Sequence, residues 1–379
     1  MSLFSILGWI FALLGLFGSG YALLAAWFAG RFVRAERETA EVFPPLTLLK
    51  PLHGAAATLE ADLESFFRQD YPAPVQLVFG VHDKTDAAVA VVERLRARYP
   101  GVQTVLAVEE RRRGSNPKIS NLIGMQAAAQ HDVLVVSDCD IRVEPDYLRK
   151  IAAALAPAQV GAVSCLYTGW AAAGFASQLE AMGINYQFLP NVLVGLGLKL
   201  AAPCLGSTIA LKKPVLEKIG GLAAFAGQLA DDHEIGRAVR AAGRRVAFPS
   251  FAVRHACDET HLAGWLHHEL RWMRTIRTCD PAGHVGSFIT QPIPLALVGA
   301  FCAGFTLFTV AVLAAAVAAR MVLKTRIDAL FGGEAAPLWL LPLRDVLSFA
   351  VFLTSLFGGS VVWQNQHLRV RQDGALFKR

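Results

Sequence analysis

The stretch Val133-Leu134-Val135-Val136-Ser137-Asp138-Cys139-Asp140 runs four apolar residues straight into two carboxylates spaced two apart. A short unbroken run of this kind predicts a strand covered on both faces, here over 132–137. The pattern repeats upstream. Strands are expected over 46–50, 75–81 and 104–108, with helices over 61–69, 87–98 and 119–130 between them. This alternation predicts an α/β domain: a mostly parallel sheet with helices on both faces. Ligands of such sheets bind at the carboxyl ends of the strands. Asp138 and Asp140 stand at such an end, and Asp83 with Asp86 stands at another, after the strand over 75–81.

Two carboxylates at a strand end suit a hard divalent cation that also touches a substrate phosphate. The same pair also occurs as a plain turn former, and the residues alone leave both readings open. Asp231-Asp232 precedes a helical run over 233–242. A helix N-cap accounts for one acidic residue there and leaves the other unexplained. The segment 262–278 predicts an amphipathic helix. Leu262, Trp265, Leu266, Leu270, Met273 and Ile276 make one face, and His267, Arg271, Arg274 and Thr278 another. Its tryptophans and arginines also fit a helix lying at a membrane surface. His255, Cys257, His261, His267 and His268 cluster in sequence, but their spacing matches no common zinc site.

The 379 residues are 54% apolar and 17% charged, against about 25% charged in an ordinary soluble domain. That deficit is local, because residues 1–30, 285–319 and 346–363 contain no Asp, Glu, Lys or Arg. A near-normal globular domain with membrane segments at both ends fits this division. Residues 3–28 are long enough to span a bilayer. Their first cations, Arg31, Arg34 and Arg37, follow the apolar run, as expected for an uncleaved anchor with the next domain in the cytoplasm. Residues 293–319 and 338–363 are further candidate spans, the last interrupted by Pro342, Arg344 and Asp345. Three full spans would leave Arg320, Lys324 and Arg326 outside, against the positive-inside rule. The expected organisation is an anchor over 1–30, a cytosolic domain over 45–260, an interfacial helix over 261–284, transmembrane or re-entrant segments over 285–363 and a basic cytoplasmic tail over 364–379. A net charge of +6 without a concentrated basic patch excludes a nucleic-acid partner. The six cysteines form no CxxC pair, as expected of a reduced domain.

Together, Val81-His82-Asp83, the run Gly114-Ser115-Asn116-Pro117-Lys118-Ile119-Ser120-Asn121, Asp138-Cys139-Asp140, Ala230-Asp231-Asp232 and His268-Glu269-Leu270-Arg271-Trp272 form an ordered set. It resembles the ceramide glucosyltransferase family, GT-A glycosyltransferases of the family 2/21 kind, whose pattern is Asp, DxD, (E/D)D and (Q/R)xxRW. The resemblance covers about residues 45–290 and reaches the membrane segments. It is strong toward the bacterial hopanoid-biosynthesis branch of that family. It implies a GT-A fold and an enzyme that moves a sugar from a UDP-sugar to a lipid hydroxyl with a divalent cation, Mg2+ or Mn2+. By resemblance, Asp83, Asn116 and Lys118 bind the nucleotide-sugar, and Asp138 and Asp140 hold the metal, Asp138 also touching the donor. Asp232, with Asp231 beside it, is the catalytic base. Arg271 and Trp272 hold the diphosphate and close over the donor. Where the pattern has Gln or Arg, this chain has His268.

The acceptor would be a membrane lipid, a hopanoid polyol first and ceramide second, reached from the cytoplasmic face of a bacterial inner membrane. The apolar stretch with Phe175, Tyr186 and Phe188 is a candidate lipid portal, with His268 beside the motif; ordinary core packing explains it equally well. Within enzymes, the rival readings are a polyprenyl-phosphate sugar transferase and a polysaccharide synthase. A membrane scaffold is the rival of another class, but it has no need of Asp138, Asp140, Asp232 and Arg271 together.

Overall fold

The computed structural model describes residues 2–35, 42–332, 336–358, 360–363, 366–370 and 376–378. The chain opens with α1 (Leu3–Val33) and continues as β1 (Leu46–Pro51), α2 (Leu59–Phe67), β2 (Val75–Val81), α3 (Ala87–Arg98), β3 (Gln103–Val108), α4 (Pro117–Gln126) and β4 (Val133–Val136). Next come β5 (Ile141–Arg142), α5 (Tyr147–Leu155), β6 (Val160–Ser164), β7 (Leu166–Ala171), α6 (Phe175–Gly183), a π-helical turn (Ile184–Phe188) and α7 (Leu189–Gly197). Then follow β8 (Ile209–Lys212), α8 (Lys213–Lys218), α9 (Asp231–Ala241), β9 (Arg245–Ala247) and β10 (Ala252–Cys257). The last helices are α10 (Leu262–Cys279), α11 (Pro281–Gly286), α12 (Pro292–Ala303), α13 (Leu307–Phe331) and α14 (Leu340–Ser355).

These elements form two compact units. One comprises Glu36–Tyr167, Ala202–Asp258 and Leu368–Arg379; the other comprises Met1–Ala35, Thr168–Ala201 and Glu259–His367. The domain expected over 45–260 is therefore interrupted. Its segment Thr168–Ala201 groups with the helices, because α6 and α7 are apolar and rich in small residues and find their partners there. Tyr21 of α1 donates to the Asn191 side chain at 2.9 Å, and Phe28 lies against Gly197.

The first unit is the expected α/β domain. Its sheet has the order β3-β2-β1-β4-β8-β6-β9. β1 pairs in parallel with β2 (Leu46↔Val75) and with β4 (Leu46↔Val133), and β2 pairs in parallel with β3. β8 is antiparallel to both β4 and β6. The chain therefore reverses its direction of winding between β1 and β4, the crevice where ligands of open α/β sheets bind. β1 and β4 are buried along their whole length. Leu49, Leu134, Val136, Ile119, Leu211 and Ile235 pack together there, each burial contributing roughly 1.5–3 kcal/mol. The helix expected over 119–130 stops at Gln126. Gln76 draws the chain off it, donating to Ala128 O at 3.0 Å and accepting from Gln130 N at 3.0 Å.

The second unit is helical. Two of its helices, α1 and α13, are long and apolar enough to cross a membrane; α12 is apolar but shorter. The span expected over 293–319 is two helices. They break at Gly304 and Phe305, both with positive φ, and Thr306 caps α13 through Thr309 N. α1 meets α12 through small residues: a β-carbon added at Gly8, Gly15 or Gly299 would strike the facing backbone. The interruption expected at Pro342, Arg344 and Asp345 is absent, since Pro342 falls in the first turn of α14, where proline is tolerated.

Two charged pairs neutralise two of the three cations that argued against three spans. Arg320 forms a bidentate pair with Asp345 at 2.7 Å, and Lys324 pairs with Asp328 at 2.6 Å. Arg320, Lys324 and Asp345 are all buried. α10 turns its polar residues toward α6 and α14 and leaves Leu262, Leu266 and Ile276 exposed. Of the basic tail expected over 364–379, residues 364–365, 371–375 and 379 lie outside the described residues, with Arg371, Asp373 and Arg379; so does Arg37. The described remainder includes an antiparallel pair, Leu368↔Lys378 to Val370↔Leu376.

Candidate active site

The centre of the α/β unit is a lysine among carboxylates. Lys118 enters from the first turn of α4, and its Nζ lies 2.7 Å from Asp138 Oδ1 and 3.7 Å from Asp231 Oδ2. Asp138 leaves the end of β4, on the same sheet edge as Asp83 at the end of β2. Asp231 and Asp232 occupy the first turn of α9, where the helix dipole favours negative charge. Neither is the N-cap, which is Ala230. Asp232 accepts from two backbone amides, Gly206 N at 2.8 Å and His233 N at 2.7 Å. Each oxygen keeps a lone pair for an incoming proton.

Gly206 marks where these groups converge. A β-carbon there would lie 3.0 Å from Lys118 Nζ and 3.3 Å from both Asp138 Oδ2 and Asp232 Oδ2. Glycine is thus required by close approach to the charged side chains. Its position lies far from every motif in sequence, and pattern reading had no signal for it.

The electrostatics follow from this crowding. Burial opposes the charge on Lys118, but Asp138, Asp231 and Asp232 outweigh it and raise its pKa, so the lysine stays protonated. Burial pushes Asp232 up to about 6, with Asp231 adding and Lys118 opposing. Asp138 is raised by burial, and Lys118 holds it back. The Cys139 thiol is pushed well up by burial and the flanking carboxylates, which keeps it uncharged.

Three further residues surround the cluster. Lys50, at the end of β1 and fully buried, donates to Asp138 O at 2.5 Å and Ser137 Oγ at 3.3 Å, with its ammonium 3.8 Å from the Phe66 ring centre. Burial lowers it to about 8, against the pull of the carboxylates. Tyr167 is raised well above its ordinary value by burial and then by Asp232, Asp138 and Asp140. His255 of β10 lies 3.4 Å from Asp140 Oδ2. The His255–His268 cluster gathers no zinc set: among the described residues no three His, Cys, Asp or Glu could hold a metal ion.

Asn116, expected at the nucleotide, has structural partners in this fold. Asn116 is fully buried and its amide is engaged: Oδ1 caps α4 through Ile119 N at 3.0 Å, and Nδ2 donates to Gln228 O at 2.8 Å and Asp231 Oδ1 at 3.1 Å. It holds Asp231 of the acidic pair. The turn before it needs Gly114, whose φ is +85° and whose added β-carbon would strike the Ala226 carbonyl. Asp83 is exposed, and Thr85 N and Oγ1 hold its Oδ1 at 2.8 and 2.7 Å and lower its pKa. Asp86 caps α3 and accepts from Gly54 N at 3.0 Å.

A divalent cation fits the residues at the end of β4. Asp140 Oδ1 is buried without a hydrogen-bond partner among the described residues. Two carboxylates suit Mg2+ or Mn2+ that completes its shell with phosphate oxygens and water.

The remaining expected residues lie in the helical unit. Arg271 and Trp272 are half-buried on α10, with Trp272 4.6 Å from the His268 ring and 6.2 Å from Phe188, centre to centre. Phe175 is exposed at the start of α6. Tyr186 is buried, and its hydroxyl donates to Asp328 at 2.7 Å.

Known proteins place this geometry. Ceramide glucosyltransferase 1 of Caenorhabditis elegans is 25% identical over 232 residues, 61% of this chain and 49% of that protein. A ceramide glucosyltransferase of Candida albicans is 29% identical over 125 residues, 30% of this chain and 23% of that protein. The chain thus spans about half the length of the relatives it matches over the longest stretches. A mannosyltransferase from Pyrobaculum calidifontis, solved in complex with GDP-Man and Mn2+, superposes with a TM-score of 0.53 over 93% of this chain and 99% of its own, at 21% identity. That likeness carries the fold, the GT-A arrangement that the resemblance implies. The model of glycosyl transferase family 21 runs through sheet, Asp-x-Asp edge, acidic pair and helices alike, matching residues 7–376, and to that family the chain belongs.

Proposed function

We propose that this protein is a membrane-embedded, inverting glycosyltransferase that moves a sugar from a UDP-sugar to a hydroxyl of a membrane lipid at the cytoplasmic face. The convergence of Lys118, Asp138 and Asp232 on Gly206 carries the reading. It brings a lysine and two carboxylates within a few ångströms at a sheet edge, which supports reading them as fixed cation, metal ligand and base. The two long apolar helices support the lipid acceptor.

When bound at Asp138 and Asp140, a divalent cation supplies charge stabilisation for the departing diphosphate. The chain's own residues do the rest. Lys118 adds a positive charge that needs no reorganisation as the diphosphate leaves. Lys50 and Asn116 hold the Asp138 backbone and the Asp231 carboxylate in place. Asp232 accepts the proton of the acceptor hydroxyl as that oxygen attacks the anomeric carbon opposite the leaving group, which inverts the centre. Arg271 and Trp272 are proposed donor residues on the resemblance alone. The donor is UDP-N-acetylglucosamine or UDP-glucose; a hopanoid polyol is the first acceptor and ceramide the second.

The test is transfer by the purified full-length protein with each donor and each lipid, read by mass spectrometry of the glycolipid. Glycolipid forms with one pair and is lost in EDTA. Absence of product with all four pairs overturns the acceptor assignment, and full activity in EDTA overturns the metal role.

A further inference from the structure

Charges buried inside the helical unit are matched with care. Arg344 Nη2 lies 2.8 Å from Glu269, Arg320 grips Asp345, and Lys324 and Tyr186 share Asp328. Glu180 departs from this rule. It is 3% exposed, and His268 Nδ1 meets its Oε1 at 2.7 Å, yet its Oε2 is buried with no partner among the described residues. On the facing helix, Trp265 is 4% exposed, and its Nε1 is likewise buried without a partner.

One side chain links the two. Arg344 Nε donates to the carbonyl of Leu179, the neighbour of Glu180, at 2.7 Å, and its guanidinium lies 5.4 Å from the Trp265 ring centre. Trp265 and His268 are three residues apart on α10 and so share a face. An unmet acceptor on α6 and an unmet donor on α10 therefore both belong to residues beside Arg344 of α14. Leaving either unsatisfied costs free energy, most of all for a carboxylate.

A single group that met both atoms would need a defined chemistry. It must donate a hydrogen to Glu180 Oε2 and accept one from Trp265 Nε1–H. A phosphate or carboxylate is repelled by Glu180, and a metal or ammonium ion cannot accept from an indole. A neutral hydroxyl does both. Leu262 and Leu266 flank Trp265 on α10 and are exposed, which favours a ligand that arrives through hydrocarbon over one from bulk water.

We propose that Glu180 and Trp265, with His268 fixing the Glu180 carboxylate, form a binding subsite for a hydroxyl of the lipid acceptor. This rests on the lipid-glycosylating reading above and deepens it. The subsite selects polyol or sphingoid headgroups over lipids whose polar atoms are all esters or phosphates. It is a binding site and needs no proton transfer.

Glu180→Gln keeps the oxygen that meets His268 and turns the open acceptor into a donor. Trp265→Phe removes one hydrogen and keeps the ring. The full-length protein in nanodiscs is assayed with a hopanoid tetrol and with ceramide. Each variant is expected to raise the acceptor KM by about ten- to a hundred-fold, the loss of a hydrogen bond involving a charged or buried group. Donor KM and unfolding midpoint should stay near wild type. Unchanged acceptor KM in both variants, meaning an ordered water only, overturns the subsite, and so does a parallel rise in donor KM. Wild-type protein inactive on both lipids defeats the proposed function instead. Direct binding of the labelled tetrol and ceramide then decides the subsite: weaker binding to Trp265→Phe than to wild type upholds it, and equal binding overturns it.

Discussion

The two units of this chain solve opposite packing problems. The α/β unit buries Leu49, Leu134 and Val136 and spends its charges at the rim of a sheet. The helical unit exposes many large apolar side chains, among them Leu3 at 74%, Phe17 at 65% and Trp27 at 55%, and buries Gly8, Ala12 and Gly15. It also buries Arg320, Lys324, Arg344 and Asp345. Burial of large apolar groups stabilises a fold only when the surroundings are water. Where they are hydrocarbon, close packing of small residues and matched polar groups does that work. The inside-out pattern supports the proposed placement of the helical unit in a bilayer. The two kinds of buried charge differ as well: in the α/β unit Lys118 is crowded among several carboxylates, and in the helical unit Arg320 and Lys324 are each matched to one.

Removing the proposed base tests that contrast most severely. Asp232→Asn should lower turnover by about 10²–10⁴-fold, the usual contribution of a general base, with UDP binding and unfolding midpoint near wild type. Turnover within tenfold of wild type, on the order of what Asn could leave by chance contacts, would remove Asp232 from the role. A paired charge should behave differently. Arg320→Ala strands Asp345 and should destabilise the helical unit by about 3–5 kcal/mol, whereas the double replacement Arg320→Met with Asp345→Leu should recover most of it. Thermal unfolding in detergent checks both, and equal destabilisation by the single and double replacements would break the structural reading of the pair.

The smallest effect is a slope. Asp232 is raised to about 6, and only its ionised form takes a proton. The free-enzyme kcat/KM should therefore be level above pH 6 and fall tenfold per unit below it. Stability runs the other way: a carboxyl raised on folding favours the protonated form, so its contribution is present at low pH and lost as pH rises through 6. A profile flat down to pH 4 would place the crowding elsewhere.

Much of the α/β unit is legible from pattern, because a strand covered on both faces leaves an unbroken apolar run and its end is where carboxylates gather. Asp138, Asp140 and the acidic pair were visible for that reason. Gly206 and Lys50 were not, because each acts across the sheet on residues far away in sequence. Asn116 was visible as a motif residue, but a motif carries residue type, and only neighbours show that its amide meets Ile119, Gln228 and Asp231. Gly304 and Phe305 broke a span that hydropathy read as continuous, since hydropathy is blind to backbone angle.

By itself, the amino-acid order determined the alternation of strand and helix, the carboxylates at strand ends and the charge-free segments, because periodicity and composition are local properties. Which carboxylate meets Lys118, which arginine cancels Asp345 and which oxygen of Glu180 is left open were decided only by the tertiary structure. Pairing is a property of distance in space, and the partners, Glu180 with His268 and Arg320 with Asp345, lie on different helices.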